Sequence, residues 1–300
     1  MFNMTLETFL QHIVNGISLG SLYALIAIGY TMVYGILRMI NFAHGEIFMM
    51  AAYFAVFGVV TFNLPWYIVI ILVIAFTVIL GVGIERIAYR TLRNAPKTSV
   101  LISAIGVSYL LQNLATYLFS GKPKAFPQFD ILTTPLKFGG VSIQPVSILI
   151  PIVTIILLIL LLFIIDNTKI GMAMRAVSKD YEIAMVMGIK INSVISFTFA
   201  IGSTLAAIGA MLWGMKYPQV IPIMGLMPGL KCFIAAVIGG IGNIKGAVFG
   251  GFILGLCEVL LVAFFTQLTG YRDAIAFILL IIILLVKPTG LLGEKVTEKV

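Results

Sequence analysis

Charge is scarce in this 300-residue chain. Only 10% of its residues are charged and 61% are hydrophobic, whereas soluble domains have about 25% charged and about 45–50% apolar residues. This scarcity excludes a soluble enzyme and leaves no room for a large aqueous domain. A transmembrane helix needs about 20 apolar residues, so the length allows about eight or nine spans joined by short loops. The sequence therefore predicts an all-α polytopic membrane protein with one transmembrane domain over residues 1–300.

Cysteine is also rare, and motifs for catalysis are missing. Cys232 and Cys257 both fall in apolar segments, which is typical of small core residues rather than of a disulfide framework. The chain has no Gly-x4-Gly-Lys-Ser/Thr loop for phosphates, no Gly-x-Ser-x-Gly nucleophile turn and no His/Cys cluster with metal-ligand spacing. We therefore expect no ATP site, no metal, no cofactor and no enzymatic activity in this chain itself.

Positive charge is in excess, with 19 basic and 11 acidic residues and a net charge of +8. Two polar loops, 85–98 and 166–190, hold four basic residues each, eight of the 19 in total. Loops of this kind next to apolar segments are typical of the cytoplasmic side of a membrane protein. The charge therefore predicts the orientation of the chain and gives no indication of a nucleic-acid partner.

The first apolar run is interrupted near residues 35–46. The interruption contains Arg38, Asn41, His44 and Glu46, and the apolar piece that follows it, 47–60, is short for a full span. Two interpretations are open: a tight loop at the membrane face, or a break inside a discontinuous helix, which the short piece favours. Irregular backbone at membrane depth requires burial by protein or contact with water. The side of the N-terminus follows by alternation, outside, only if the interruption is a loop.

Glycines flank this interruption, and a second interruption lies near residues 239–246. Gly35 and Gly45 are expected to supply the backbone angles of the break. Both interruptions contain an Asn followed by a basic residue or His and then a Gly. Paired interruptions in the two halves of a chain indicate a transporter pathway, although two ordinary tight loops would give the same pattern.

Ionisable residues inside apolar segments are costly and are candidates for function. Glu46 is either such a group or half of a structural ion pair with Arg38 or His44. Lys231 is expected to extend towards the membrane surface, whereas Glu258 lies deeper, and Gln112 and Asn113 are expected to be buried in their span. The candidates for the translocation pathway are Asn41, His44, Glu46, Asn113, Gly240, Gly242, Asn243 and Glu258.

The cytoplasmic loop 166–190 is predicted to contain a short amphipathic helix over 179–188. Such a helix docks into a groove of a partner protein, or it rests on the lipid headgroups. The pattern leaves both interpretations open.

Several stretches together resemble a known family. The sequence from Asn15 to Gly35, Asn-Gly-Ile-Ser-Leu-Gly-Ser-Leu-Tyr-Ala onward, is followed by Ile-Asn-Phe-Ala-His-Gly-Glu at 40–46, and Val-Ile-Gly-Gly-Ile-Gly at 237–242 and Pro-Thr-Gly-Leu-Leu-Gly at 288–293 extend the likeness. The chain resembles LivH-type permeases of bacterial branched-chain amino acid ABC importers along essentially its whole length. The resemblance implies a multi-pass protein of the bacterial inner membrane, in contact with membrane lipid. It also implies a second permease subunit, two ATP-binding cassette subunits that bind the ATP, and a periplasmic substrate-binding protein.

The same resemblance assigns a role to the cytoplasmic loop. Glu-Ile-Ala-Met-Val-Met-Gly at 182–188 matches the Glu-Ala-Ala-x3-Gly coupling pattern of such importers except at Ile183. It therefore implies that Glu182, Ala184 and Gly188 belong to the ATPase-coupling segment. The predicted function is import of leucine, isoleucine and valine by alternating access. The alternatives are transport of urea, amides or other amino acids, and an ion-coupled secondary transporter that uses Glu46, His44 or Glu258.

Overall fold

A computed structural model describes residues 5–93, 95–138 and 141–293 of the chain. Over these residues the fold is almost entirely helical, and eight helical segments are long and apolar enough to cross a membrane. The prediction of an all-α polytopic membrane protein is confirmed. The helices are α1 Leu6–Leu37, α2 His44–Val56, α3 Trp66–Ile84, α4 Lys97–Phe119, α5 Asp130–Thr133, α6 Pro145–Asn167, α7 Lys169–Lys179, α8 Tyr181–Val186, α9 Ile191–Lys216, α10 Leu226–Gly239, α11 Ile244–Phe264 and α12 Arg272–Val286.

Shorter elements extend or connect these helices. A π-helical turn, Phe57–Thr61, continues α2, and a second, Glu85–Tyr89, continues α3. A 3-10 helix, Thr266–Tyr271, leads into α12. The strands form two small antiparallel pairs outside the helices: β1 Lys124–Ala125 with β4 Gln219–Val220, and β2 Leu136–Phe138 with β3 Val141–Ile143.

The centre of the molecule is α1, whose most apolar stretch is 94% buried, whereas that of α6 is only 17% buried. Small residues allow it to pack closely against α11: a methyl group placed on Gly20 would lie 2.8 Å from the Phe252 Cα atom of α11. Such close backbone contact is how helices associate where water supplies no driving force. The helices with low burial, α3, α4, α6 and α12, surround this centre and present apolar side chains outwards.

The first interruption is a break at membrane depth. The chain leaves α1 through Arg38, which has left-handed backbone angles (φ 51°), and α2 begins at His44. The His44 ring lies against Gly29 of α1, eight residues before the end of α1 at Leu37, which is about 12 Å along a helix axis. The segment 38–43 therefore runs back along α1, and α2 starts inside the bundle.

Glycine has a different role at this break from the predicted one. Among the described residues, positive φ angles occur at four glycines, and neither Gly35 nor Gly45 is one of them. Gly45 lies instead in the first turn of α2 and allows close contact, because a methyl group there would be 2.5 Å from the Gly225 carbonyl oxygen. The expectation that Gly35 and Gly45 supply unusual backbone angles is wrong.

The second interruption is a tight turn between the ends of α10 and α11. Gly240 and Gly242 have positive φ angles of 111° and 94°, which L side chains rarely adopt. The segment at 287–293 covers this turn: the Leu291 and Leu292 amides donate to the carbonyls of Ile238 and Gly239, both at 2.8 Å. The tight-loop interpretation therefore holds here.

The counterpart of the first break lies earlier, at residues 217–225. This segment joins α9 to α10 and ends at Gly225, where it contacts Gly45. Because α10 has only 14 residues, it is too short to cross the hydrocarbon region. Two irregular segments, one from each half of the chain, thus meet inside the molecule.

The first turns of α1 lie on the same side as the 120–145 connection. Gln11 Nε2 donates to the Ser142 carbonyl at 2.9 Å. This side is opposite to the two basic loops, which follow α3 and α6. The described start of α1 therefore lies on the side opposite to the two basic loops, because α2 and its π-helical turn run back to that side even though the interruption is a break.

Candidate functional site

A cavity lies where the two irregular segments meet. It is bounded by α1, α2, α4 and α10 and has a volume of about 160 Å³. This is below the usual range of small-molecule sites, about 300–1,000 Å³, so the cavity accommodates only a small ligand. Its walls are mainly apolar. The residues that line it include Tyr30, Phe42, Glu46, Ile105, Ser108, Tyr109, Gln112, Gly225, Leu226 and Leu230. We call it the Glu46 cavity.

Glu46 is the one acidic residue among those that line the cavity, and it is only 1% exposed. Its Oε1 atom accepts hydrogen bonds from Gln112 Nε2 at 2.7 Å and from Ser108 Oγ at 3.3 Å. Its Oε2 atom has no hydrogen-bond partner in the described part of the chain and lies beside Gly225. A buried carboxylate with a free oxygen atom is costly unless a cation or a donor reaches it.

No ion pair explains the burial of Glu46. Within residues 5–93, 95–138 and 141–293, neither Arg38 nor His44 forms a salt bridge with it. The interpretation of Glu46 as half of a structural ion pair with either residue is therefore wrong. The first turn of α2 does favour a negative charge, because the peptide dipoles of a helix place partial positive charge at its N-terminus.

His44 anchors the start of α2. Its ring is buried between Gly29 of α1 and Gly202 of α9 and meets the Tyr30 ring edge-on, with 4.8 Å between the ring centroids. The Nε2 atom has no hydrogen-bond partner among the residues described. The ring therefore fills the space that the absent side chains of Gly29 and Gly202 leave.

Asn41 connects the break to the cytoplasmic end of α3. Its Oδ1 atom accepts a hydrogen bond from the Tyr89 hydroxyl at 2.7 Å, and both side chains are buried. Tyr89 closes the π-helical turn that extends α3. This hydrogen bond therefore joins the end of α3 to the segment 38–43.

The three glycine-turn candidates lie away from the cavity. Asn243 Oδ1 caps α11 by accepting from the Gly246 amide at 3.1 Å, and Asn243 Nδ2 donates to the Leu292 carbonyl at 2.8 Å. Gly242 approaches Gly35 near the end of α1. Gly240, Gly242 and Asn243 form the turn between α10 and α11. Their contacts stabilise this turn.

Glu258 belongs to a buried ionic cluster. Its Oε1 atom lies 2.9 Å from Lys231 Nζ and 2.6 Å from Arg272 Nε, and its Oε2 atom accepts from the Tyr23 hydroxyl at 2.8 Å. Lys231 also contacts Asp273 at 2.7 Å and is only 6% exposed. The expectation that Lys231 extends to the membrane surface is wrong, because two carboxylates hold it inside.

Asn113 does not join the cavity. Its side chain is exposed, and its Nδ2 atom donates to the Tyr109 carbonyl of its own helix, so the expected burial of Asn113 is wrong. The neighbouring Gln112 is the residue that reaches Glu46, together with Ser108 one helical turn away. Residues four apart share a helix face, and that spacing was the signal in the sequence for Ser108 and Gln112.

The predicted short helix in the cytoplasmic loop is confirmed as α8. Asp180 caps it by accepting from the Glu182 and Ile183 amides, both at 3.1 Å, and Gly188 ends it with a positive φ of 79°. Ala184 is buried, whereas Val186 is 86% exposed. Ile183, Met185 and Met187 are also exposed, so α8 presents an apolar surface outwards, as a docking helix does.

Arg93 links α8 to the transmembrane helices. Its Nη1 atom donates to the Tyr181 hydroxyl of α8 at 3.2 Å and to Asn192 Oδ1 of α9 at 2.8 Å. Its Nη2 atom lies 3.9 Å from Glu85, which also accepts from Ser196 at 2.7 Å. Glu85 begins the same π-helical turn that Tyr89 ends, so polar contacts join α8, the end of α3 and the break.

Comparisons with known proteins agree with this arrangement. A family model described as the permease component of the branched-chain amino acid transport system matches residues 12–284. The high-affinity branched-chain amino acid transport system permease protein BraD of Pseudomonas aeruginosa is 43% identical, over 97% of this chain and 98% of its own. LivH of Escherichia coli K12, a permease protein with the same description, is 42% identical over the same shares.

More distant matches extend the likeness. A probable branched-chain amino acid transport permease protein, LivH, of Methanocaldococcus jannaschii is 27% identical over 91% of this chain and 89% of its own. Among solved structures, PsaBC from Streptococcus pneumoniae in complex with Fab aligns with a TM-score of 0.52, covering 92% of this chain and 91% of that chain. At 16% identity this last likeness concerns the fold alone.

Proposed function

The chain belongs to the family of branched-chain amino acid transport permease components, and we propose that it forms one half of the membrane pathway of an ABC importer for leucine, isoleucine and valine. The observation that carries the proposal is identity of 42–43% along nearly the whole length of permeases described for this transport. The apolar Glu46 cavity suits aliphatic side chains.

The partners follow from the proposed function. In an ABC importer the ATP would be bound by separate ATPase subunits, which we place on α8. A second permease subunit would complete the pathway, a periplasmic binding protein would deliver the substrate, and the assembly would lie in the bacterial inner membrane. The exposed apolar residues of α8 support the ATPase contact.

The mechanism we propose is alternating access driven through α8. The ATPases move α8, the contacts of Arg93 and Glu85 transfer that movement to the end of α3, and Tyr89 transfers it to Asn41 beside the start of α2. A substrate shifts such an equilibrium only through its different affinity for the two states. The Glu46 cavity, at the start of α2, lies where the movement would change the binding site.

An affinity purification of the tagged chain in mild detergent tests the partners. We expect two ATPases and a second permease in the mass spectrum of the wild-type sample. Val186→Glu places a charge on the apolar surface of α8, and Glu182→Lys reverses the charge of the coupling segment. Both variants should lose the ATPases and keep the second permease.

A matched control introduces a glutamate at an equally exposed apolar residue on the opposite side of the protein from α8. Ile131 in α5 is 87% exposed, against 86% for Val186, so Ile131→Glu should keep every partner. A chain that purifies alone and still accumulates leucine in vesicles under an ion gradient would contradict the proposal and favour a secondary transporter.

A further inference from the structure

Glu46 has the features of a recognition group rather than of a structural one. Its side chain is 1% exposed, its Oε1 atom is held by two donors, and its Oε2 atom has no partner in the part of the chain that the structure describes. The two donors fix the direction of the carboxyl group. The free oxygen atom is thus oriented in advance and enclosed beside Gly225, a residue that lines the cavity.

The charge of the cavity selects the chemistry of a ligand. None of the residues that line it is Lys or Arg, and Glu46 is its one carboxylate. A cation that reaches Oε2 would form a charge-assisted hydrogen bond, roughly twice as strong as a neutral one. The first turn of α2 also places partial positive charge beside this carboxyl group.

The shape of the cavity selects the rest of the ligand. Phe42, Ile105, Leu226 and Leu230 form apolar walls around the carboxyl group. A ligand that fits has a primary ammonium group within a few bonds of an aliphatic branch. Gly225 packs directly against Gly45 and Glu46 Oε2, where any side chain would clash, so a ligand reaches Oε2 when α2 and α10 move apart in the transport cycle.

We propose that Glu46 binds the α-ammonium group of the transported amino acid, while the aliphatic side chain lies against the apolar walls. This assignment rests on the proposed function and adds a specificity residue to it. The substrate carboxylate then points towards the mouth of the cavity, since the lining residues offer it no cation. Glu46 thereby distinguishes an amino acid from a hydroxy acid with the same carbon skeleton.

The test uses the purified complex of this chain with its partner permease and ATPases in nanodiscs, without the substrate-binding protein. Equilibrium binding of radiolabelled leucine is measured, with competition by 2-hydroxy-4-methylpentanoate, in which a hydroxyl group replaces the ammonium. The wild type should prefer leucine, and Glu46→Gln should lose roughly tenfold or more of its leucine affinity, as expected for a bond to a charged group. The preference over the hydroxy acid should disappear with it.

Two further variants separate recognition from folding. Glu46→Asp keeps the charge on a shorter side chain, so it should retain the preference at lower affinity. Glu7→Gln makes the same chemical change on an exposed carboxylate at the start of α1 and should bind leucine as the wild type does. Size-exclusion profiles check that all four complexes are assembled.

Three outcomes would overturn the assignment. If Glu46→Gln binds leucine as the wild type does, Glu46 is an uncharged acid within the helix bundle and does not bind the ammonium group. If the Glu46→Gln complex loses its second permease while binding of leucine to the wild type is absent, Oε2 contacts a lysine of that subunit. If the wild-type complex binds no leucine but takes it up when the binding protein is added, the cavity is not a substrate site, whereas the proposed function stands.

Discussion

Gly45 and Gly225 are in backbone contact where the two irregular segments meet. A methyl group on Gly45 would lie 2.5 Å from the Gly225 carbonyl oxygen and 3.1 Å from the Gly229 Cα atom. These are backbone atoms, so they cannot move aside as a side chain would. The position of α2 against α10, and with it one wall of the Glu46 cavity, depends on this contact.

We expect Gly45→Ala to destabilise the protein and to abolish transport, because α2 must move away from α10. Overpacking of this kind typically costs about 1–3 kcal/mol. The measurement is the thermal midpoint of the fluorescently tagged protein in detergent, together with leucine uptake. Gly83→Ala is the control, since a methyl group on Gly83 meets nothing within 4 Å, and equal midpoints for the two variants would contradict the packing argument.

The ionic cluster around Glu258 is balanced in charge. It contains two cations, Lys231 and Arg272, and two anions, Glu258 and Asp273. Removing one member of a buried pair leaves an uncompensated charge and typically costs about 3–5 kcal/mol, whereas replacing both members is often close to neutral. Charge balance, more than any single contact, should decide the stability of this region.

Lys231→Met should therefore lower the thermal midpoint strongly, and the double variant Lys231→Met/Glu258→Gln should recover part of the loss. The recovery is expected because Arg272 and Asp273 remain as a balanced pair. The four proteins of this cycle are compared by thermal unfolding in the same detergent. Additive losses in the double variant would mean that the residues do not act as a pair.

At the scale of elements, the π-helical turn at the end of α3 joins the cytoplasmic helices to the break. It carries Glu85, which is held by Arg90 and Ser196, and Tyr89, which donates to Asn41. π-helical turns are rare and occur frequently at functional sites. The turn thus connects α8, through Arg93 and Glu85, with the segment before α2, through Tyr89 and Asn41.

Tyr89→Phe should keep the fold and impair coupling. The hydroxyl contributes one hydrogen bond, about 1 kcal/mol of stability, but it is the contact between the α3 end and segment 38–43. We expect ATP hydrolysis in the assembled complex to continue while leucine uptake per ATP falls.

Tyr67→Phe is the control for this experiment, because Tyr67 is 69% exposed at the start of α3. Its uptake per ATP should match that of the wild type. An unchanged ratio for Tyr89→Phe would exclude the Tyr89–Asn41 contact from the coupling route.

At the scale of the whole molecule, orientation follows from charge and contacts together. The two basic loops lie on one side, and the β2–β3 hairpin with the described start of α1 lies on the other. A second cavity opens on the side of the hairpin and has a volume of about 470 Å³; it is lined by His12, Gln144, Lys216 and Arg272 among others. If the basic loops face the cytoplasm, this basic cavity opens to the outside.

Labelling with a membrane-impermeant maleimide tests this orientation. Cys232 and Cys257 are both free, so they are first replaced by Ala. A cysteine at Thr134, which is exposed in the outer connection, should react in intact cells, whereas one at the exposed Thr91 should react only after permeabilisation. The reverse pattern would invert the orientation.

Composition determined the fold class, because only lipid accommodates a chain with so few charges. Length and hydropathy predicted eight or nine spans, and the described residues contain eight candidate spans, because about 20 apolar residues are needed to cross the hydrocarbon region. The short helix α8 followed from the pattern of nearby residues in the loop 166–190. The presence of a break near Asn41 and His44 was also visible, because polar residues interrupt an apolar run.

Only the tertiary structure decided which polar residues meet. Glu46, Ser108 and Gln112 converge from two helices, and Lys231, Glu258 and Asp273 converge from three. Periodicity shows which face of a helix a residue occupies, but the neighbour of that face depends on how α2 and α10 enter the bundle. That entry depends on backbone contact at Gly45 and Gly225, which only the folded chain brings together.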